Sequence, residues 1–341
     1  MLRIRCLSGS LKRLPQSTAL FSRSYIAAPP SDATKSSENN QAVPEPFKKV
    51  CVFGVGLMGS GIAQVSAMSD YGVTVVDLNE DALNRGQAYI LKSLKRVAKK
   101  KFEDQQEQIK FTEDVLSKIE FTTKMEDAVP SADLVVEAVV ENVDLKKKIF
   151  ADLEPLLPAD KDVVLATNTS SCSVTEIFSG ISKERLPNTA GLHFFNPVSQ
   201  MKLVEIVKTD STSEATYERL NRFVLSLKKA PVKCKDTPGF IVNRLLVPYM
   251  MEAIRLLERG DASARDIDTA MKLGAGYPMG PFELLDYVGL DTTAFIIKGW
   301  DKNPELKEAG ITAESKMLTD LVNAGRLGIK SGSGFYEYKK K

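Results

Sequence analysis

The chain has 341 residues, of which 43% are hydrophobic and 26% charged, an ordinary composition for a globular protein long enough to form two domains. The formal net charge of +2 provides no overall field that would favour nucleic acid as a partner. No apolar run approaches the roughly 18 residues that a membrane-spanning helix requires. Because Cys6, Cys51, Cys172 and Cys234 contain no C-x-x-C pair, we expect neither a metal site nor disulfides.

The N-terminal segment, residues 1–27, contains five basic residues and several serines but no Asp or Glu. This composition is typical of a mitochondrial transit peptide, whereas a secretory signal would need a continuous apolar core of about 7 to 15 residues. A basic tail without a targeting role is the alternative. Residues 28–46 are rich in Pro, Ser and Asn, and we expect them to form a flexible lead-in. The expected location is therefore the mitochondrial matrix.

The folded region begins at Phe47, and Lys48–Phe53 is a short, apolar, β-prone run that ends at a glycine. Helices are then predicted over 61–68, about 81–101, about 112–117 and about 142–157, and strands over 73–76, 134–138 and 163–166. Two more strands are predicted at 191–195 and 201–207, on either side of a break at Asn196-Pro197-Val198. Strands that alternate with helices predict a Rossmann-like, doubly wound parallel sheet, an α/β fold.

The pattern changes between Ala230 and Gly239, where Pro and Gly interrupt it. Beyond this point the helix-like stretches, separated by Gly or Pro, are 241–259, 264–272, 281–286, 292–298 and 315–324. We therefore predict an α/β domain over residues 47–235, followed by an all-helical domain over residues 236–341.

A dinucleotide site is predicted where Gly54–Gly59 supplies the spacing G-x-G-x-x-G between a strand and a helix. Gly54 permits the tight turn, Gly56 lets the backbone approach a pyrophosphate, and Gly59 lets helix and strand pack closely. Asp77, at the end of the next strand, can accept hydrogen bonds from ribose hydroxyls and would repel a 2′-phosphate, which favours NAD over NADP. A glycine-rich turn beside an unrelated Asp is the alternative. The predicted cofactor loop comprises Gly54, Gly56, Leu57, Met58 and Gly59.

The chain contains one histidine, His193. Strand alternation places Glu205 on one face with Leu203 and Val207, and a carboxylate on a buried face is costly unless it has a partner. A His193–Glu205 pair would form a general base, in which the carboxylate fixes the imidazole tautomer and stabilises the imidazolium. Oxidation of an alcohol by a nicotinamide needs such a base. A core histidine with satisfied hydrogen bonds is the alternative.

Several segments together resemble L-3-hydroxyacyl-CoA dehydrogenase of the monofunctional, mitochondrial type. They are Gly54–Gln64, Asn168–Ser171, Gly191–Pro197, Met201–Glu205, Asp236–Arg244 and Gly332–Tyr336. The resemblance covers nearly all of the chain after about Lys48, and His-Phe-Phe-Asn-Pro followed by Met-Lys-Leu-Val-Glu is its most specific part. It implies NAD-dependent oxidation of L-3-hydroxyacyl-CoA to 3-oxoacyl-CoA in fatty acid β-oxidation.

The same resemblance implies roles for individual residues. His193 would be the base, with Glu205 as its orienting partner. A serine and an asparagine that hold the reacting oxygen in the family match Ser170 and Asn243. The loop between Ser170 and His193 is longer than the family pattern, so Ser171 stands as an alternative to Ser170. Further cofactor contacts are implied at Ser170, Glu141, Lys146, Asn196 and Lys330.

The CoA end of the substrate is expected on the helix predicted over residues 81–101. There, Lys92, Arg96 and Lys100 repeat at i, i+4 and form a basic stripe that would attract a phosphorylated CoA tail. The family resemblance implies contacts with the CoA substrate at Ser93, Lys100 and Ser170. A solvated helix face is the alternative.

The resemblance also bears on assembly and on rival functions. The helical domain would expose apolar helix faces if left alone, and the family precedent implies a homodimer. The related 3-hydroxyisobutyrate and 6-phosphogluconate dehydrogenases are expected to use a lysine rather than a His–Glu pair. A non-catalytic, NAD-sensing protein on the same fold would not need the base and its partner. Reduction of small β-keto acids without CoA is a further possibility.

Overall fold

The computed structural model describes residues 46–338, so the predicted transit peptide and all but the last residue of the lead-in lie outside the described part. The strands are β1 Lys49–Phe53, β2 Gly72–Val76, β3 Ile119–Thr122, β4 Leu134–Glu137, β5 Val164–Thr167, β6 Thr189–Phe194, β7 Leu203–Lys208 and β8 Ala230–Lys235. The helices are α1 Leu57–Ala67, α2 Glu80–Lys101, α3 Gln105–Leu116, α4 Met125–Ala128, α5 Val143–Leu153, α6 Val174–Ile177, α7 Glu214–Ser226, α8 Val242–Glu258, α9 Ala264–Gly274, α10 Pro281–Val288, α11 Leu290–Trp300, α12 Pro304–Glu308 and α13 Lys316–Asn323.

One sheet contains all of these strands, in the order β3-β2-β1-β4-β5-β6-β7-β8. The strands from β3 to β6 are parallel, whereas β7 is antiparallel to β6 and β8 is parallel to β7. The reversal follows from chain length, because a parallel crossover needs a dozen or more residues and residues 195–202 are too few for one. The predicted Rossmann-like sheet followed by a helical domain is confirmed, with these two reversed strands at one side.

Helices cover both faces of the sheet, and the strands are apolar on both faces. Along β1, Val50 and Val52 enter one core with Ile90 of α2, while Cys51 and Phe53 enter another with the aromatic rings of α5 and the turn after α6. Strands buried on both faces have near-continuous apolar sequences rather than alternating ones. Because the helices cover the two faces, the carboxyl ends of the parallel strands lie together at one edge of the sheet, outside these layers.

The helical domain packs around its own core, formed mainly by α8, α10 and α11. The buried Asp286 of α10 holds the last described segment of the chain: it accepts hydrogen bonds from the backbone N–H of Phe335 and Tyr336, each at 2.9 Å, and from the Tyr338 hydroxyl. Within residues 46–338, no helix is long and apolar enough to cross a membrane.

Six elements were not anticipated from the sequence: β3, α4, α6, α7, β8 and α12. The strand β8 contains Pro231, which removes a backbone donor, and Pro is tolerated there because β8 lies at an edge of the sheet. The first helix begins at Leu57 rather than Gly61. Gly59 lies in its first turn because close packing leaves no room for a Cβ there, although glycine has a low helix propensity. The helix predicted over 142–157 ends at Leu153, before Pro155 in a 3₁₀ turn.

Candidate active site

The glycine loop turns from β1 into α1 with its backbone open to a cavity. Gly54 has φ +92°, and a Cβ there would lie 2.8 Å from the carbonyl oxygen of Ala138. A Cβ on Gly59 would lie 1.7 Å from the carbonyl oxygen of Gly54, whereas a Cβ on Gly56 would meet nothing within 4 Å. Gly56 precedes the first turn of α1, where no side chain caps the helix and no acidic residue lies. Its surroundings therefore leave room and free N–H groups for an anion.

A cavity of about 620 Å³ adjoins this loop, and Asp77 lines it at the end of β2. The two carboxylate oxygens of Asp77 accept hydrogen bonds from the backbone N–H groups of Val55 and Leu78, both at 2.7 Å. These bonds fix the carboxylate beside the loop, and each oxygen keeps a lone pair for a further donor. The open backbone at Gly56, the free helix N-terminus and the fixed carboxylate fit NAD, with its pyrophosphate at α1 and a ribose at Asp77.

The antiparallel pairing of β6 with β7 places His193 directly opposite Glu205. The His193 Nδ1 lies 2.8 Å from Glu205 Oε2; His193 is 5% exposed and Glu205 is 0% exposed. An ionised carboxylate can only accept a hydrogen bond; in the neutral tautomer in which Nδ1 donates to it, Nε2 keeps its lone pair. The buried carboxylate thus has the partner that the strand alternation demanded.

Glu205 is held from its other side by the second domain. Its Oε1 accepts hydrogen bonds from the backbone N–H of Ile241, at 3.2 Å, and of Val242, at 2.9 Å, where α8 begins. These two N–H groups lie at the positive end of α8, which favours negatively charged groups. The phenyl rings of Phe195 and Phe240 flank the imidazole, with centroids 4.4 Å and 5.6 Å away, and restrict its orientation.

Ser170 and Asn243 meet although they come from different domains. The Asn243 side-chain amide donates a hydrogen bond to the Ser170 carbonyl oxygen at 3.2 Å. Glu141 accepts bonds from the backbone N–H of Ser170, at 2.8 Å, and of Ser171, at 3.1 Å. Both serine hydroxyls also lie within hydrogen-bond distance of Glu141, at 3.3 Å and 3.1 Å. The choice between Ser170 and Ser171 as the substrate-binding serine therefore stays open.

Lys146 is buried behind Glu141 in a small ion-pair network. It is 1% exposed, and its ammonium lies 2.7 Å from Glu137 and 3.2 Å from Glu141. Glu137 also accepts a hydrogen bond from the Thr167 hydroxyl at 2.6 Å. Burial raises the pKa of Glu141, but Lys146 and the hydrogen bonds from Thr169 and Ser170 outweigh it, so the net pKa lies below its ordinary value. Glu141 is therefore held as an anion at the edge of the sheet.

Two of the three predicted CoA residues, Ser93 and Lys100, lie together on α2, whereas Ser170 lies beside Glu141 and Asn243. Ser93 and Lys100 of α2 line a cavity of about 860 Å³, and Lys92 and Arg96 line it too. Its other wall is the loop between β6 and β7, which contributes Pro197, Ser199 and Gln200. The basic stripe thus faces a cavity whose other wall is the loop that follows the His193 strand.

Two predicted cofactor residues, Asn196 and Lys330, lie in a loop and in the helical domain, respectively. Asn196 is exposed in the loop that follows β6. Lys330 lies in the helical domain, where it forms an ion pair with Asp291 at 2.6 Å. Among residues 46–338, no cluster of three or more His, Cys, Asp or Glu side chains could hold a metal ion.

Three polar residues that support the site were missed by sequence reasoning. Glu137 anchors Lys146, Asn168 Oδ1 accepts the backbone N–H of Phe194 beside His193 at 2.8 Å, and Asp236 accepts the N–H groups that open α6. Glu137 carried a usable signal, since a carboxylate that ends an otherwise apolar buried strand needs a cation. The other two depend on contacts between segments that are distant in the chain.

The fold and the site together define a two-domain, NAD-dependent dehydrogenase with a buried His–Glu pair at the carboxyl edge of its sheet. The family models for the 3-hydroxyacyl-CoA dehydrogenase NAD-binding domain and C-terminal domain match residues 49–237 and 239–338. The chain therefore belongs to the 3-hydroxyacyl-CoA dehydrogenase family.

Individual relatives agree with this assignment. The human mitochondrial hydroxyacyl-coenzyme A dehydrogenase is 50% identical over 322 residues, which cover 94% of this chain and 100% of the relative. The rat mitochondrial enzyme is 54% identical over 295 residues, which cover 86% of this chain and 92% of the relative. The crystal structure of FadB2 from Mycobacterium tuberculosis is 40% identical, has a TM-score of 0.80, and covers 86% of this chain and 100% of its own.

Proposed function

We propose that this protein oxidises the 3-hydroxyl of an L-3-hydroxyacyl-CoA to a ketone, as in fatty acid β-oxidation. The observation that carries the proposal is the buried His193–Glu205 pair, with 2.8 Å between Nδ1 and Oε2. NAD⁺, when bound, supplies the hydride acceptor.

In this proposal His193 removes the hydroxyl proton through Nε2, the nitrogen that does not face Glu205. The imidazolium that results is stabilised by the Glu205 carboxylate, which is already fixed by two backbone N–H groups of the second domain. Because the pair lies in a buried setting, its electrostatic interaction is stronger than it would be in water. Positioning of a base in this way contributes about 10² to 10⁴ to the rate.

The C3 oxygen of the substrate is proposed to lie between Ser170 and Asn243. A hydroxyl and a side-chain amide can both donate hydrogen bonds to the negative charge that develops on this oxygen. The hydrogen bond from the Asn243 amide to the Ser170 carbonyl oxygen, at 3.2 Å across the domain boundary, keeps the two residues adjacent and supports a joint role. Ser171 is the alternative to Ser170 in this position.

The acyl-CoA and the NAD are proposed to approach this centre from different sides. The acyl-CoA would be held at Ser93 and Lys100, with Ser170 at its reacting end. NAD would be held by the glycine loop and Asp77, and by residues nearer the reacting centre. The proposed cofactor contacts are Gly54, Gly56, Leu57, Met58, Gly59, Asp77, Glu141, Lys146, Ser170, Asn196 and Lys330.

A homodimer in the mitochondrial matrix is part of the proposal. Helices of the second domain expose apolar side chains, including Leu245, which is 70% exposed, and Leu273, which is 83% exposed. Such surfaces are more stable when a second copy covers them. The human and rat relatives are named as mitochondrial enzymes, and the acid-free, basic composition of residues 1–27 supports the same location.

The test is NADH absorbance with protein from residue 28 onward, L-3-hydroxybutyryl-CoA and a C10 to C16 series of 3-hydroxyacyl-CoA substrates, each with NAD⁺ and with NADP⁺. Turnover with NAD⁺ is expected, with at least about a hundredfold loss of kcat in His193→Asn and unchanged NADH binding. NADH binding without turnover of any acyl-CoA would instead favour an NAD-sensing protein.

A further inference from the structure

Lys229, between α7 and β8, is a buried lysine that the proposed mechanism does not use. It is 8% exposed, and its ammonium donates hydrogen bonds to two backbone carbonyl oxygens, those of Val198, at 2.5 Å, and Met201, at 2.6 Å. Within the part of the chain from 46 to 338, no carboxylate lies within ion-pair distance of it. Among the described residues, the partners of its ammonium are these two carbonyl dipoles.

Such a position is unfavourable for a lysine. Burial, together with the neighbouring positive charge of Lys202, lowers the pKa of Lys229 to about 8. An apolar side chain of similar length would fill the same space without the cost of removing an ammonium from water. What Lys229 provides in return is a pair of charge-assisted hydrogen bonds, which are stronger than neutral ones.

Both bonds go to the loop 195–202, which joins the strand of His193 to the strand of Glu205. The loop is also a tight turn, because the Pro197 carbonyl oxygen accepts bonds from the N–H groups of Gln200, at 2.9 Å, and Met201, at 3.0 Å. The Val198 side chain rests on α1, where a Cβ on Gly61 would lie 2.7 Å from it. Lys229 thus holds two backbone carbonyl groups of a loop whose Val198 side chain already packs against α1.

The loop is also one wall of the basic cavity. Pro197, Ser199 and Gln200 face Ser93 and Lys100 of α2 across that cavity. Ser199 and Gln200 are exposed, so their own packing does not hold them. The width of the cavity therefore depends on where the turn is fixed.

We propose that Lys229 is a positioning residue that fixes the loop 195–202 as the wall of the CoA cavity. It acts through the carbonyl groups of Val198 and Met201 and touches neither substrate nor cofactor. The inference rests on the proposed function for the identity of the ligand, but the fixing of the loop can be measured without any ligand.

The first experiment measures the loop itself in the full-length protein. Hydrogen–deuterium exchange of peptides that cover residues 195–202 is compared in the wild type, Lys229→Met, Lys229→Arg and the exposed neighbour control Lys228→Met. We expect exchange at Gln200 and Met201 to be about tenfold faster in Lys229→Met, with restored protection in Lys229→Arg and none of this change in Lys228→Met. Equal exchange in Lys229→Met and the wild type would overturn the proposal, whatever the activity.

The second experiment separates positioning from simple loss of folded protein. KM and kcat are measured for 3-hydroxybutyryl-CoA and for the pantetheine thioester of the same acid, which lacks the nucleotide end. For Lys229→Met we expect KM for the CoA thioester to rise about tenfold while KM for the pantetheine thioester changes less than about twofold. A fall in kcat with both KM values unchanged would indicate a structural role only and would overturn the proposal. Absence of turnover by the wild type would count against the proposed function and leave the exchange result to decide on Lys229.

Discussion

At the scale of single residues, the site is built from polar groups that are buried only because each has a partner. Glu205 is fully buried and has His193 on one oxygen and two backbone N–H groups on the other. Lys146 is equally buried and lies between Glu137 and Glu141. Removing one partner from such a group leaves an uncompensated charge or donor, which costs more than the bond itself contributes.

The variant Glu205→Gln tests the His–Glu pair. Gln has the same shape but no charge, so His193 loses the carboxylate that stabilises its imidazolium. We expect kcat to fall by about 10² to 10⁴ with little change in KM. Steady-state kinetics measure this, with Glu214→Gln, at an exposed surface carboxylate, as the matched control. A kcat within about twofold of the wild type would show that the pair has no role in the reaction.

Glu141 provides a prediction about pH. Its pKa is lowered in the folded protein, so its ionised form contributes stability that is present above the pKa of the unfolded chain and is lost as the pH falls through the folded pKa. We therefore expect Glu141→Gln to be less stable than the wild type at pH 7 and the difference to shrink in more acidic solution. Urea unfolding of both proteins at pH 7 and at about pH 4 measures the difference in their free energies of unfolding. A difference that does not depend on pH would contradict this assignment.

At the scale of elements, local turns and strand pairing place the functional groups. The glycine loop is shaped by β1 and α1, and its two ends tolerate no Cβ, whereas its middle does. The short connection between β6 and β7 forces an antiparallel return, and this return sets His193 opposite Glu205. The same connection forms one wall of the basic cavity.

Gly56→Ala tests the open middle of the glycine loop. The new Cβ meets no protein atom within 4 Å, and Gly56 has φ −61°, which alanine adopts without strain. The fold should therefore remain stable, while the methyl group occupies the space proposed for the pyrophosphate. We expect NADH to bind at least about tenfold more weakly, as measured by fluorescence titration, with a similar thermal midpoint.

The control for this experiment is Gly180→Ala, at an exposed glycine whose Cβ would also meet nothing within 4 Å. Unchanged NADH affinity in Gly56→Ala would place the pyrophosphate elsewhere. A large loss of thermal stability in Gly56→Ala, but not in Gly180→Ala, would instead show that the loop has no room for a Cβ at Gly56.

At the scale of the whole molecule, the second domain completes the site. It contributes the backbone donors that hold Glu205, the Phe240 ring beside His193 and the Asn243 amide that contacts Ser170. It also has exposed apolar side chains on α8 and at the end of α9. The same domain is therefore proposed to close the active site and to form the dimer.

A double variant tests the proposed dimer. Leu245→Glu with Leu273→Glu places charges on the exposed apolar surface of the helical domain, and burying them against a second copy would be costly. We expect the molar mass from light scattering to fall from two chains to one. Leu78→Glu, at a leucine that is 90% exposed in the α/β domain, is the control and should stay dimeric. A wild type that is monomeric at micromolar concentration would refute the homodimer.

Much of the fold and the catalytic centre could be predicted from the sequence, since the physical constraints involved are local. Apolar runs, glycine spacing and helix periodicity predicted the sheet and the helical domain, and a carboxylate in a buried strand predicted a partner for Glu205. β8 was missed because Pro231 is tolerated only at an edge, and edge position is a property of the whole sheet. β3 was missed because Ile119–Thr122 is very short.

By itself, the sequence determined most of the strands and helices and the residue types available for catalysis, since these depend on neighbours in the chain. Apart from the His193–Glu205 pair, only the tertiary structure decided which of these groups meet. The contacts of Asn243 with Ser170, of Lys146 with two carboxylates and of Lys229 with the loop 195–202 join segments that lie far apart in sequence or come from separate elements. Burial makes these contacts obligatory, because a polar group removed from water must find its partner within the folded chain.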